Sequence, residues 1–272
     1  MMASAMLLLA AASVVFAQIT GAQNGRQIME SSIAATQRSW QGRLQYTYVE
    51  RDSDRRLDSE GRVKSEQVDV SKIILVDGVP FEQLVERNGK SLSPVEERKQ
   101  KEKLDKLKRE TPEQRAARIR KEEEETTSLV REIPKAFDFQ LVGEEIINGR
   151  PAYVLQATPH PGYQPQGTYG KMFDKLEGKL WVDKRELGWI KADGNVIQPF
   201  SLGLFLVRVL RGSHITMEQT RVDEGIWVPE RVEIRAAAKI FFVKSLVIDR
   251  VLIYSEYKRL DADAPAIREP VK

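Results

Sequence analysis

Two histidines, no cysteine and a scatter of carboxylate pairs are the chemistry that this 272-residue chain offers. His160 stands between Pro159 and Pro161, and His214 follows a Gly-Ser pair at the start of a β-type run. Neither has a second histidine at ligand spacing, so a zinc site would need both, joined by carboxylates from distant segments; the expectation is no metal. The lack of Cys excludes disulfides, thiolate nucleophiles and a lipid-modified N-terminal Cys. No serine sits in a Gly-x-Ser-x-Gly turn, since Gly203 follows Ser201 but Pro199 precedes it, and no Gly-rich phosphate loop is present. Asp183 and Glu186 flank a hairpin turn, where Asp suits turn hydrogen bonding. A general acid and base would need a pocket that separates their pKa values, which a solvated turn lacks. Glu144-Glu145 and Glu122 to Glu125 read as exposed charge. The expectation is therefore no catalytic residue, no cofactor and no enzyme.

The aromatic residues are better placed for binding than for reaction. Trp181 and Trp189 fall on successive strands of one hairpin and can face each other across it, and Trp227 opens the strand before the last. Core packing and an apolar lining are both open to them. Tyr46 and Tyr48 alternate with polar residues in a half-buried strand. The segment from Phe241 to Tyr257 is apolar on both faces, with Phe242, Leu246, Ile248, Leu252 and Tyr254 on one and Phe241, Val243, Val247, Val251 and Ile253 on the other. A strand of that kind must be covered twice. The helix over 25–40 would provide one cover; a barrel interior, a lid or a ligand would provide the second. The patch around Phe205, from Leu204 to Leu210, reads as core or as the rim of an apolar opening.

The elements that must position these residues are mostly strands. Ile28, Met29, Ile33, Ala34 and Trp40 recur at helical spacing over Gly25 to Trp40. Strands are expected at Leu44 to Val49, Val63 to Val76, Phe81 to Glu86, Phe137 to Ile147, Ala152 to Ala157, Gly178 to Asp183, Gly188 to Ala192, His214 to Asp223, Ile226 to Ala236 and Phe241 to Tyr257. Turns are expected at Asp52 to Gly61, Asp77-Gly78, Asn88-Gly89, Asn148-Gly149, Asp193-Gly194 and Glu224-Gly225, with a loop from His160 to Tyr169. Strands joined by such short turns pair antiparallel. Residues 93–127 differ: Ser93-Pro94-Val95-Glu96 and Thr111-Pro112-Glu113-Gln114 are two capping boxes with Pro at the first helical position, so two helices follow one another. Their thin apolar stripe suits either a solvated insertion or a movable lid over an apolar opening.

The chain holds 43 Lys and Arg against 40 acidic residues, spread along its length, which leaves no basic footprint for nucleic acid. No charge precedes Arg26, and Met6 to Phe16 is an apolar run with Val15 and Ala17 at the −3 and −1 places of a small-residue cleavage site. Gln18, Thr20 and Gln23 interrupt it short of the ~20 residues of a membrane span. The expectation is a cleaved signal peptide over 1–17, then a single domain over 18–272 carrying the helical insertion 93–127, exported to the periplasm as a soluble protein.

The order of these elements, with Asn148-Gly149-Arg150-Pro151-Ala152-Tyr153-Val154-Leu155, Lys179-Leu180-Trp181-Val182-Asp183 and Ile226-Trp227-Val228-Pro229, resembles the periplasmic lipoprotein carriers LolA and LolB and the stress sensor RseB, from about residue 25 to 259. The resemblance implies a mainly β (α+β) fold: a strongly curved antiparallel sheet forming an unclosed barrel, with the N-terminal helix and the charged helical insertion plugging its concave side as a lid. It also implies a non-catalytic carrier that takes lipid acyl chains or a lipidated protein. Strand alternation then offers Tyr46, Tyr48, Trp181, Trp189, Phe205, Phe242, Leu246, Ile248 and Leu252 as the apolar lining. A regulatory or assembly module of the same fold, docking an envelope membrane-protein partner through the charged helices, is the alternative.

Overall fold

The computed structural model describes residues 24–58, 60–76, 79–165, 167–202, 207–240 and 244–260. The expected signal peptide, the Asp77-Gly78 turn, Phe205 and Phe242 lie outside the described residues.

Helix α1 spans 24–43. Its buried face is Gly25, Met29, Ser32, Ala35, Thr36 and Ser39, a stripe of mostly small side chains at helical spacing, while Ala34 is exposed and Ile28 and Ile33 only flank the contact. Small residues let the helix lie directly on backbone: a Cβ on Gly25 would stand 2.4 Å from the Phe139 carbonyl oxygen.

The strands are β1 (Tyr46–Leu57), β2 (Val63–Val76), β3 (Val79–Arg87), β4 (Lys90–Ser91), β5 (Phe137–Ile147), β6 (Arg150–Pro159), β7 (Leu176–Asp183), β8 (Trp189–Val196), β9 (Phe200–Leu202), β10 (Val207–Val209), β11 (His214–Asp223), β12 (Ile226–Ile240) and β13 (Lys244–Arg259). They form one sheet in the order β4-β3-β2-β1-β13-β12-β11-β8-β7-β6-β5, with β9 and β10 attached beside β12. The neighbours along this path are antiparallel. The sheet is not closed, because β4 and β5 at its two ends do not pair. These two end strands are consecutive in the sequence, joined by α2 (Pro94–Lys108) and α3 (Pro112–Ala136). The expected mainly β fold around an unclosed sheet is thus present.

Both capping boxes form as expected, at Ser93 and Thr111. The helices differ in what they bury. Helix α2 has no buried residue and is tied to β3 by Arg87 Nη1 on Glu96 Oε1 at 2.7 Å. Helix α3 runs past the expected end at 127, and Val130 and Ala136 are buried in its last turns before the chain enters β5 directly.

Several local expectations are corrected. Asp52 to Leu57 is not a turn but the second half of β1, its polar residues paired to β2 and β13. Asp193-Gly194 is not a turn either; both pair with Thr216 and Ile215 inside β8–β11. At either side of the Leu204 patch, Phe200–Leu202 and Val207–Val209 are the paired strands β9 and β10, and a short helix α4 (Gly167–Phe173) closes the Pro/Gly loop. The turns at Asn88-Gly89 and Asn148-Gly149 have both residues at positive φ, the hairpin geometry that matches strand twist.

The main core lies under α1. Met29 packs with Phe137, Phe139, Leu155, Phe173, Leu180, Val182 and Trp189. This face of the sheet is called inner below. A smaller cluster of Ala152, Val154, Trp181, Ile190 and Trp227 occupies the opposite, outer face. The helix therefore covers β5 to β8 rather than the body of the last strand. On β13 Leu252 is buried while Ile253, on the other face, is 38% exposed and Val247 and Val251 are half-buried, so the second cover expected there is incomplete among the described residues.

Candidate functional site

Beside α1 the inner face holds an apolar cleft of about 250 Å³. Alternation delivers pairs of residues from four strands to it: Phe137 and Phe139 on β5, Gly178 and Leu180 on β7, Ala192 and Gly194 on β8, Ile215 and Met217 on β11. Trp189, Ala157 and Leu176 complete the floor and wall, and Ile133 of α3 and Phe173 of α4 close one side. Lys179, Glu177 and Asp193 are the charged residues at its margin. Ile215 is 42% exposed, so the cleft opens toward β11.

The cleft exists because residues are missing from its floor. Gly178 and Gly194 stand directly opposite each other on β7 and β8, and Gly194 is opposite Ile215 on β11. Where two side chains would normally interlock, there is bare backbone.

Trp189 is fixed in the wall by a polar anchor. Its Nε1 donates to Ser32 Oγ at 3.0 Å, and that hydroxyl donates to the Met29 carbonyl at 2.7 Å. Ser32 is fully buried, so α1 supplies the partner that a buried indole N–H needs.

Continuous register carries the inner face outward from the cleft. Ala192, Met217, Val232 and Leu252 form one cross-strand row, and Gly194, Ile215, Ile234 and Arg250 the next. On β1 the same face becomes charged. Asp52 receives Arg250 through Nε and Nη2 at 2.8 and 2.6 Å, and Asp69 receives Arg87 at 2.8 Å. Burial, with Glu82 and Asp52 nearby, pushes the Glu50 carboxyl above its ordinary value. The apolar surface thus ends at β1.

At the C-terminal end of α1, Ser39 and Arg43 serve backbone of β12 that β13 does not reach, since the β12–β13 ladder begins at Arg231 and Ile253. Ser39 Oγ accepts from Trp227 N–H and donates to its carbonyl, both at 2.8 Å. Tyr257 Oη donates to the Pro229 carbonyl at 2.6 Å. Tyr48 packs against Tyr254 and Tyr257, with ring centroids 6.0 and 5.1 Å apart. Residues three apart in one strand meet one ring because Glu256, at positive φ, inserts a bulge opposite Tyr48.

Of the residues expected to line a cavity, Trp189 is in the cleft wall. Leu252 belongs to the row that starts at Met217, Leu246 and Ile248 share its face by register, and Tyr48 stands on that face near α1. Tyr46 is elsewhere, in a small recess with Gly42, Asp223 and Arg259, its hydroxyl 3.2 Å from Asp223 Oδ2. Trp181 is on the outer face, where its Nε1 donates to Glu145 Oε2 at 2.9 Å. The two hairpin tryptophans do not face each other: a bulge sets Trp181 opposite Lys191 and Val182 opposite Trp189. Sequence reasoning missed Phe137, Phe139, Phe173, Gly178, Gly194 and Met217. The alternating Phe137 and Phe139 signalled a shared face, whereas the glycines read as turn residues.

Asp183 and Glu186 have the structural role expected of a turn. Asp183 Oδ1 accepts from the Arg185 and Glu186 N–H groups, and Oδ2 from Arg150. His160 pairs with Asp138 at 2.8 Å, and His214 with Asn195 at 2.9 Å. Among the described residues no group of three or more potential ligands could hold a metal, and no helix is long and apolar enough to cross a membrane.

No family model matches the sequence, and no curated protein matches it. Solved structures similar to the chain include the following three. One is described as an outer membrane lipoprotein-sorting protein domain from Vibrio parahaemolyticus, at 9% identity, TM-score 0.35, covering 91% of this chain and 95% of that one. The second is a DUF1329 family protein from Desulfovibrio piger, at 13% identity, TM-score 0.30, covering 87% and 95%. The third is a LolA superfamily protein from Nitrosomonas europaea, at 12% identity, TM-score 0.31, covering 85% and 93%.

Proposed function

We propose that the protein is an exported, non-catalytic binding protein that holds an apolar chain, from a lipid or a lipidated protein, on the inner face of its open sheet. The observation that carries this reading is the cleft floored by the Gly178–Gly194 pair: strand positions that would fill a core are left empty beside exposed Ile215. Its volume of about 250 Å³ is at the low end for small-molecule pockets and suits part of one chain rather than a whole diacyl lipid. Roughly eight methylenes at ~0.8 kcal/mol each would contribute about 6 kcal/mol without any polar contact. The uncharged N-terminal stretch with its apolar run over Met6 to Phe16 supports export. Mass spectrometry of an organic extract of the purified protein tests the reading. Stoichiometric acyl cargo supports it, and a clean extract after incubation with membrane lipids rejects it.

A second reading is favoured by α2. A charged helix with no buried residue contributes little to the core, yet it is capped at its start and pinned to β3. Such a helix suits a protein partner, and a complex lost at high salt would support a docking role.

A further inference from the structure

Arg43, the last residue of α1, pairs with no acid among the described residues. Its Nε donates to the Trp227 carbonyl at 2.6 Å and its Nη2 to Gln219 Oε1 at 3.1 Å, both neutral acceptors. The Trp40 ring lies 5.7 Å from its guanidinium carbon. Burial lowers its pKa to about 10, and the titratable groups acting on it are the Tyr257 and Tyr48 phenols, so it is a cation among uncharged groups at neutral pH. Glu50, the carboxylate beside those tyrosines, acts on Tyr48 and Tyr254 and is itself pushed up by burial.

A structural clamp does not account for this charge. The Trp227 carbonyl accepts from both Ser39 Oγ and Arg43 Nε, which satisfies hydrogen bonding there but supplies no counter-charge. The carbonyls ending α1 offset part of the charge. Arg43 is only partly buried, so what remains is a partial desolvation cost that an anionic partner reaching it from solvent would relieve.

The site adjoins the cleft. Gln219, only 5% exposed, lies on β11 two residues beyond Met217, which lines the cleft, and its Nε2 is 4.0 Å from the Met217 sulfur. At ~3.4 Å per residue the headgroup end would sit about 7 Å from the apolar wall. The geometry points to Arg43, held by Gln219, as an anion site at the end of the cleft, selecting a single-chain amphiphile with a carboxylate or phosphate monoester at its head. This deepens the proposed chain-binding role and rests on it.

The test uses the full chain and fluorescent cis-parinaric acid beside its methyl ester, with energy transfer from the protein's tryptophans as the signal. Wild type should bind the acid at least about tenfold more tightly than the ester. Arg43→Gln should erase that preference, and Arg43→Lys should keep part of it. Competition by lysophosphatidic acid against the free fatty acid of equal chain length separates a phosphate head from a carboxylate head, since the preferred one displaces the probe at lower concentration. Equal binding of acid and ester by wild type overturns the anion site and leaves the chain-binding reading intact. No binding of either overturns both. The wild-type comparison stands whether or not an Arg43 variant folds.

Discussion

Gly178 stands opposite Gly194 across the β7–β8 ladder, and together they leave the floor of the inner face without side chains. The two positions are not equivalent. A Cβ on Gly178 would lie 2.0 Å from the Asp193 carbonyl oxygen, whereas one on Gly194 would meet only Ile215, its Cγ2 at 3.3 Å. Gly194→Val should therefore fold and fill the cleft, reducing parinaric acid binding at least about tenfold with a melting temperature within a few degrees of wild type. Gly178→Ala should lower stability by about 1–3 kcal/mol, because backbone must move. Binding isotherms and thermal melts on both variants check this; full binding by a folded Gly194→Val would place the ligand elsewhere.

Ser32 should matter to stability more than its size suggests. Replacing it with Ala leaves the Trp189 N–H buried with no acceptor, at a cost of about 1–3 kcal/mol. Urea denaturation gives the magnitude, and a shifted Trp emission spectrum would report the changed surroundings of the indole. Ser32→Thr retains the hydroxyl and should recover part of the loss.

The Arg150–Asp183 pair predicts an acid-sensitive component of stability. Burial alone would raise the Asp183 carboxyl, but the bond from Arg150 and the Glu186 and Arg185 N–H groups outweigh it and hold it below the ordinary value. A carboxylate depressed in the folded state adds stability above its unfolded value of about 3.9, and this is lost as pH falls through the lower folded value. Arg150→Met should cost about 3 kcal/mol at pH 7, since Asp183 is fully buried, and should move the onset of acid unfolding to higher pH. Denaturant titrations from pH 3 to pH 7 measure both effects.

Removing the capping hydroxyl with Ser93→Ala should loosen α2 by about 1 kcal/mol while leaving the global melt nearly unchanged, because that helix buries nothing. Amide exchange at the start of α2 should quicken without change in β6 or β7. A large drop in global stability would show that α2 supports the sheet.

Local and periodic features were legible in the chain. The capping boxes at Ser93 and Thr111, the Asn-Gly hairpins and the strands of period two act through neighbours a few residues away, so residue order alone defines them. The antiparallel character followed from short connections. Other features depend on partners far off in sequence. Asp193-Gly194 looks like a turn until β11 pairs with it and turns the glycine into cleft floor. Trp181 and Trp189 look alike until a bulge in their ladder sends them to opposite faces. The helix stripe that seemed to need Ile28 and Ile33 is instead a row of small residues, because what it meets is the backbone of β5 and the edge of Trp189. Sequence by itself determined the elements and their caps, whose energies are local. Only the tertiary structure decided which face each side chain took and where space was left, since bulges, register and the absence of a Cβ acquire meaning only when strands far apart in the chain lie side by side.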